Sequence, residues 1–492
     1  SGGMLTVSGW TANGRMVSYS LLPPLERGLQ GGSSEHESYV GRRLGDGRIV
    51  ASVFNRSPSN HETSSSGGRH ADDAFHQVAE YVLASFDKGM CNESFASPSE
   101  LLLADWADPW PDTILLPQAA SEIGNETNER DVLEMIARAR KQMSGKGPAS
   151  LYARSWEHML CTPDNVPVQY DLTVMQFNLL AEGLSSPPPS LKQPPFPHTK
   201  DSSYGGFDKL PHPEVILDWE LRKWRLLEVI FDQMPDILAI QECDHYADFF
   251  APALQLVGYE GEFCAKVHSP CLQFGYYSDG VAILWKQEAF RCVWHLKGQL
   301  ATGGAYVVVH LVQKSTGKDC LVATCHLKAK EDVAFENRRV AQIKDLLAIV
   351  ASNLGRCKSG QVFVVGDFNA DSSEIQPKVA AGKVVREGYS PACVHTVLDW
   401  ARPKFKSAFP LGQEAKEAGW FSTWKFREDT ETKHMIDYIF STEKLEPTAR
   451  LLPPKASAME KHGIPALGWP SDHFSFAARF RWASEAKSDD GA

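Results

Sequence analysis

QVFVVGDFN, at 361–369, is an apolar run (Val362, Phe363, Val364, Val365) closed by Gly366, Asp367, Phe368 and Asn369. A run this short, β-branched and aromatic and bounded by turn-forming residues, fits a strand buried on both faces. Similar runs lie on either side: LTVMQFNLL at 172–180, DILAIQE at 236–242, GVAILW at 280–285, AYVVVHLVQ at 305–313, CLVATCHLKA at 320–329 and HMIDYIFST at 434–442. Helical patterns interleave. Over 215–234, Asp218, Glu220, Arg222, Lys223 and Arg225 interrupt the apolar residues, which gives an amphipathic helix and excludes a membrane span. Over 335–354, Val340, Ile343, Leu346, Leu347 and Val350 fall on one face. Pro-rich 185–197 and Gly/Tyr-rich 204–207 read as a surface loop. Many strands with some helices predict an α/β or α+β sandwich of about 320 residues.

Outside that region the texture differs. The chain has 492 residues, too many for one ordinary domain. The reading is an N-terminal extension over 1–165, a catalytic domain over 166–484 and a flexible tail over 485–492. Ser1, Gly2 and Gly3, ahead of Met4, read as residues left by cloning. Residues 31–74, rich in Ser, Gly, His, Asn and Arg, read as flexible. Helices are expected over 73–86 and 128–143, packing on the main domain.

Hydrophobic residues make up 43% and charged residues 23%, so a sizeable core is expected. The net charge of −11 argues against a general phosphate-backbone binder, because that binding rests on many Lys and Arg contacts. Ten cysteines contain no C-x-x-C pair, and those inside strands, such as Cys325, fit reduced core thiols. The three sequons (Asn55, Asn92, Asn125) are no more than chance supplies. The expected location is the cytoplasm, with the mitochondrion as the alternative.

Several strands end in acids, amides or histidines: Asn178, Gln241-Glu242, His326, Asp367-Phe368-Asn369. Strand ends and their loops are where catalytic groups are usually presented. Singly, each has a structural explanation: Asn178 as a turn cap, Glu242 as a solvated strand end, GDFN as an Asx-turn, Asp437 as a buried acid bonded to backbone. Together they fit hydrolysis of a phosphate ester. Carboxylates and an amide, without His or Cys at zinc spacing, favour Mg2+, with Mn2+ as the alternative. In this reading Glu242 holds the metal, Asp367 activates or orients a water, and Asn369 donates to the transition-state oxygens. His473 bonds the phosphate and Asp437 fixes its tautomer.

Asn178 in MQFNLLAEGL, Glu242 in LAIQECDHY, His326 in CHLKAK, Asp367 and Asn369 in GDFNA, Asp437 in IDYIF and Asp472-His473 in PSDHFS resemble the endonuclease/exonuclease/phosphatase superfamily, in order and spacing from about 168 to 483. The resemblance implies a four-layer α/β sandwich (DNase I-like, two sheets flanked by helices), a site at one rim, catalytic roles for Asn178 and His326, and Asp472 beside Glu242 at the metal. QECDHYADFFAPALQLVGYEG, AKVHSPCL, CHLKAK and STWKFR resemble its nocturnin branch, related to the CCR4-type deadenylases. That branch removes the 2′-phosphate of NADP+ and NADPH, and the resemblance puts Lys266, Lys328, Lys330 and Arg427 around the substrate phosphates. Lys330 keeps the charge of an arginine common there but lacks its planar fork. Such cations suit a short, highly charged dinucleotide or another small phosphorylated nucleotide.

The leading expectation is therefore a Mg2+-dependent NADP(H) 2′-phosphatase, a phosphoric ester hydrolase. The rival is a 3′-exoribonuclease on poly(A), disfavoured by net charge and by the lack of a basic-aromatic run. A non-catalytic scaffold with the same fold would have lost one of Glu242, Asp367, Asn369 or His473, and all are present.

Overall fold

Phe476–Trp482 lies inside a seven-stranded sheet, third from one edge, although it is the last strand among the described residues. In the computed structural model the described residues are 123, 127–161, 166–186, 204–274, 276–330, 333–372, 379–380, 383–384, 394–395, 398, 401–427 and 430–483, together with four strands before 118. Two units divide the chain, Ser1–Gln118 and Ala119–Ala492. In the first, Leu5–Trp10 pairs antiparallel with Met16–Leu21, and Glu37–Arg43 with Ile49–Asn55. The latter pair falls within 31–74. The helix expected over 73–86, most of the loop expected over 185–197 and the tail over 485–492 lie outside the described residues.

The second unit opens with helix α1 (Glu129–Met143), started by a capping box in which Asn128 accepts from the Asp131 amide and Asp131 accepts from that of Asn128. The strands follow: β1 (Trp156–His158), β2 (Leu172–Asn178), then helix α2 (Trp219–Gln233), β3 (Ile237–Cys243), β4 (Tyr259–Ala265), β5 (Gly280–Lys286), β6 (Phe290–Gln299), β7 (Ala305–Gln313) and β8 (Asp319–His326). After helix α3 (Val333–Asn353) come β9 (Val362–Asp367), β10 (Phe405–Ser407), β11 (Thr423–Arg427), β12 (Thr430–His434), β13 (Asp437–Thr442), β14 (Leu445–Leu451) and β15 (Phe476–Trp482). One sheet runs β1-β14-β15-β2-β3-β5-β4 and the other β6-β7-β8-β9-β13-β10.

The period-2 alternation of each strand sets the layers. Leu172, Val174, Ile237, Ala239, Val281 and Ile283 join Val307, Val309, Cys320, Val322, Phe363 and Val365 in the core between the sheets. Their neighbours Met175, Phe177, Leu238, Ile240, Ala282 and Leu284 face the other way, against Leu226, Leu227 and Ile230 of α2. On the far side, Ile343, Leu346 and Val350 of α3 pack on the six-stranded sheet. The result is the expected four-layer sandwich. Gly366 makes a close inter-strand approach, at φ +149°: a Cβ there would lie 2.2 Å from the Cys325 carbonyl oxygen, so no side chain fits.

One boundary differs from the sequence reading. The second unit starts at Ala119 and not at 166. Strand β1 pairs with β14, and Val132, Ile136, Ala139 and Met143 of α1 are buried in the same core as α2. This also corrects the amphipathic reading of α2, whose Arg222, Lys223 and Arg225 are all buried. Arg225 bonds Glu228 and the Ala149 carbonyl, and Arg140 of α1 joins Glu228. The upstream segment covers the Arg225–Glu228 end of that face, while Arg222 bonds the Leu179 carbonyl and Lys223 pairs with Glu220; only paired charges tolerate such burial.

Candidate active site

β2 and β3 run parallel, as do β8 and β9, and all four end at one rim. Asn178 closes β2, Glu242 lies near the end of β3, His326 closes β8 and Asp367 closes β9. Register alone puts His326 opposite Asp367, and Asp367 opposite Asp437 at the start of antiparallel β13. Glu242 needs a further device. The β3–β5 ladder slips between Gln241 and Cys243, and Glu242 takes φ +52°. This bulge re-aims its side chain, at the backbone cost that left-handed non-glycine residues carry. Asn369, at φ +48°, turns the chain just past Asp367.

The side chains converge. The amide nitrogen of Asn178 donates to Glu242 Oε1 (3.1 Å) and to Asp367 Oδ2 (3.0 Å), bridging the two carboxylates. The other Glu242 oxygen accepts the Ala181 amide at 3.3 Å. The Asn369 amide donates to Asp367 Oδ1 at 2.9 Å, while its side chain donates to the Leu327 carbonyl. His326 Nε2 is 3.5 Å from Asp367 and 3.9 Å from Glu242, and its Nδ1 accepts from Lys266 Nζ at 3.0 Å. Lys266 also pairs with buried Asp279 at 2.5 Å. His473 Nδ1 donates to Asp437 Oδ2 at 2.8 Å, which turns Nε2 toward Asp367, 3.8 Å away. Gln176, fully buried, donates to the other Asp437 oxygen at 2.7 Å.

The electrostatics follow from burial. Burial and the neighbouring Asp437 push the Asp367 carboxyl up to about 7. Burial pulls His473 down, but Asp437, Asp472 and Asp367 outweigh it and lift the imidazolium to about 9. His326 is held well below its ordinary value by burial and by Lys266, His473, Lys328 and Lys425, so it is neutral. With Lys266 donating to Nδ1, the proton sits on Nε2, facing the two carboxylates.

Asn178, Glu242, His326, Asp367, Asn369, Asp437, His473 and Lys266 are thus brought together. Lys328 and Lys330 lie beside them on the loop after β8, each ammonium within 6 Å of the Phe335 ring (5.6 and 5.8 Å). Asp472 is placed differently from its expected role: its carboxylate pairs with Lys425 at 2.8 Å and lies 4.0 Å from His473, and the group of ligand atoms gathered with Glu242 consists of His326 and Asp367. The side chain of Arg427, at the end of β11, lies outside the described residues. Sequence reasoning missed Lys425 and Gln176. The signal for Gln176 was a lone amide inside an apolar strand, and for Lys425 its place in STWKFR.

Residues 175–473 match the family model described as Endonuclease/Exonuclease/phosphatase family. The chain belongs to the endonuclease/exonuclease/phosphatase family, whose members hydrolyse phosphoester bonds. Within it, the chain is similar to the Nocturnin of Xenopus laevis, at 30% identity over 62% of this chain and 71% of that protein. The Nocturnin of Rattus norvegicus is 30% identical over 66% of this chain and 68% of its own length. The human Nocturnin catalytic domain with bound sulfate anion aligns at 26% identity, TM-score 0.48, over 67% of this chain and 97% of that one. The nocturnin-like reading of the sequence is met.

Proposed function

We propose that this protein removes the 2′-phosphate of NADP+ and NADPH with the help of Mg2+, giving NAD+ or NADH. The observation that carries the reading is the crowding of cations beside the converging rim carboxylates. Burial, Lys330, Arg338 and Lys266 hold the Lys328 ammonium below its ordinary range. A bound polyphosphate relieves that repulsion.

The donor set fits a divalent cation. Ligand atoms of Glu242, His326 and Asp367 lie within 4.8 Å of one another, and Asp367 and Asp437 are buried together at a cost that a nearby positive charge removes. Glu242 and Asp367 would hold the ion, with Mn2+ as a substitute, and a bound ion supplies Lewis-acid neutralisation of phosphoryl oxygen charge. Asp367, fixed by Asn178 and the Asn369 amide, orients a water for in-line attack. Protonated His473, aimed by Asp437, donates through Nε2 to a phosphoryl oxygen. Neutral His326 supplies a second N–H on the same side. Lys266, Lys328 and Lys330 bind the remaining phosphate charge, with Arg427 as a further contact.

The test is phosphate release from NADP+ and NADPH beside shortening of an oligo(A), with one preparation and Mg2+ throughout. Phosphate release with little AMP and a shallow salt dependence is expected. Oligo(A) degradation at a comparable rate, falling steeply with salt, would establish the poly(A) exoribonuclease instead.

A further inference from the structure

A cleft of about 310 Å³ opens next to the site, between Glu182, Tyr204, Glu214, Asp218, Trp219 and Tyr276. It starts one residue from the proposed catalytic centre: Glu182 follows Ala181, whose amide holds Glu242. His245, three residues after Glu242, bonds Glu182 through Nε2 at 2.9 Å and stacks on Trp219 with ring centroids 4.2 Å apart. The volume is at the small end of ligand clefts, room for one heterocyclic ring but not for a dinucleotide.

Its charge is the opposite of the lysine side. Glu182, Asp208, Glu214, Asp218 and Glu220 gather around it, against His245, Arg222 and Lys223. Burial, Glu214, Asp208 and Asp218 raise the Tyr204 phenol, a sign that the local field disfavours anions. Phosphate is therefore excluded. A single metal ion is a poor occupant too: the groups of ligand atoms within 4.8 Å of one another, among the described residues, do not include these acids. Dispersed carboxylates suit a large, delocalised cation. Arg222 sits 5.3 Å over the Trp219 ring and His245 stacks on it, so selection comes from the carboxylates and not from stacking on Trp219.

We infer that this cleft is the subsite for the cationic nicotinamide ring of the oxidised dinucleotide, making NADP+ a better substrate than NADPH, whose ring is neutral. The inference rests on the phosphatase reading above.

The experiment compares kcat/KM for NADP+ and NADPH in the wild type and in Glu214→Gln/Asp218→Asn. Glu214 is half exposed, and Asn at 218 keeps the oxygen that caps α2, so the variant folds. With two partly exposed charges removed, the NADP+/NADPH ratio is expected to fall about two- to thirtyfold. Oxidised nicotinamide mononucleotide, which has no 2′-phosphate, should inhibit the wild type more strongly than its reduced form. Phosphate released from both substrates with a ratio near one, unchanged in the variant, overturns the inference and leaves the phosphatase standing. No phosphate from either removes the phosphatase reading and the inference with it.

Discussion

Asn178 commits its amide nitrogen to two carboxylates and its oxygen to the Leu180 amide, so it fixes the spacing of Glu242 and Asp367 without adding charge. The two acids then differ in role because their surroundings differ: Asp367 is buried and raised, while Glu242 sits on a bulge at the rim. Glu242→Ala is expected to abolish phosphate release while the circular dichroism spectrum and thermal midpoint stay near wild type. Retention of more than a tenth of kcat, a loss under about 1.4 kcal/mol, would remove Glu242 from the chemistry. For His473 the sign runs the other way. Its proton is kept to about pH 9 by Asp437, Asp472 and Asp367 against the pull of burial. Below that value it can donate; above it the donor is lost. In Asp437→Asn the strongest support goes, and the alkaline limb of the kcat/KM profile should move to lower pH by roughly one to two units. An unmoved limb would mean that His473 is not the group seen there.

The strands that face both layers were legible as plain apolar runs, and β2, β3, β5, β7, β8 and β9 all lie where those runs predict. Strands β14 and β15 were not legible, for a physical reason. LEPTARL carries Pro447, and FAARFRW carries Arg479 and Arg481, which read as surface. In the fold, the Arg479 guanidinium lies 4.0 Å over Trp156 and 4.5 Å over Tyr170, and Arg481 bonds Glu446. Partners on other segments, those of Arg479 more than 300 residues earlier, make these arginines compatible with an interior strand, and local pattern has no access to them. The rim acids were legible singly, but the bulge that turns Glu242 inward depends on the β3–β5 register. At this scale Gly366→Ala is the informative change. The added methyl meets backbone in β8, which cannot swing aside, so a loss of about 2 kcal/mol or more is expected in urea unfolding. A shift within error would mean that β8 and β9 part more easily than their register suggests.

At the scale of the molecule, the upstream segment is structural. A chain begun at Ala119 should keep the wild-type thermal midpoint and rate of phosphate release. One begun at Asp164 loses α1 and β1, uncovering the buried Arg225–Glu228 pair and Val132, Ile136 and Met143 of the core. Exposing apolar side chains costs about 1.5–3 kcal/mol for each one fully uncovered, so a midpoint lower by roughly 10 °C, or an insoluble product, is expected. Equal midpoints for the two would show that the segment only rests on the sheet.

The position of β15 has a temporal meaning as well. The Trp482 amide is bonded to Asp171, 311 residues earlier in the chain, and β15 separates β2 from β14. On the ribosome, at about 5–20 residues per second, β2 is made some 15–60 s before the strand that completes its hydrogen bonding. Through that interval the nascent chain carries an open, apolar sheet edge in need of a chaperone's cover. A message cut short before residue 476 therefore yields a chain that never leaves that condition.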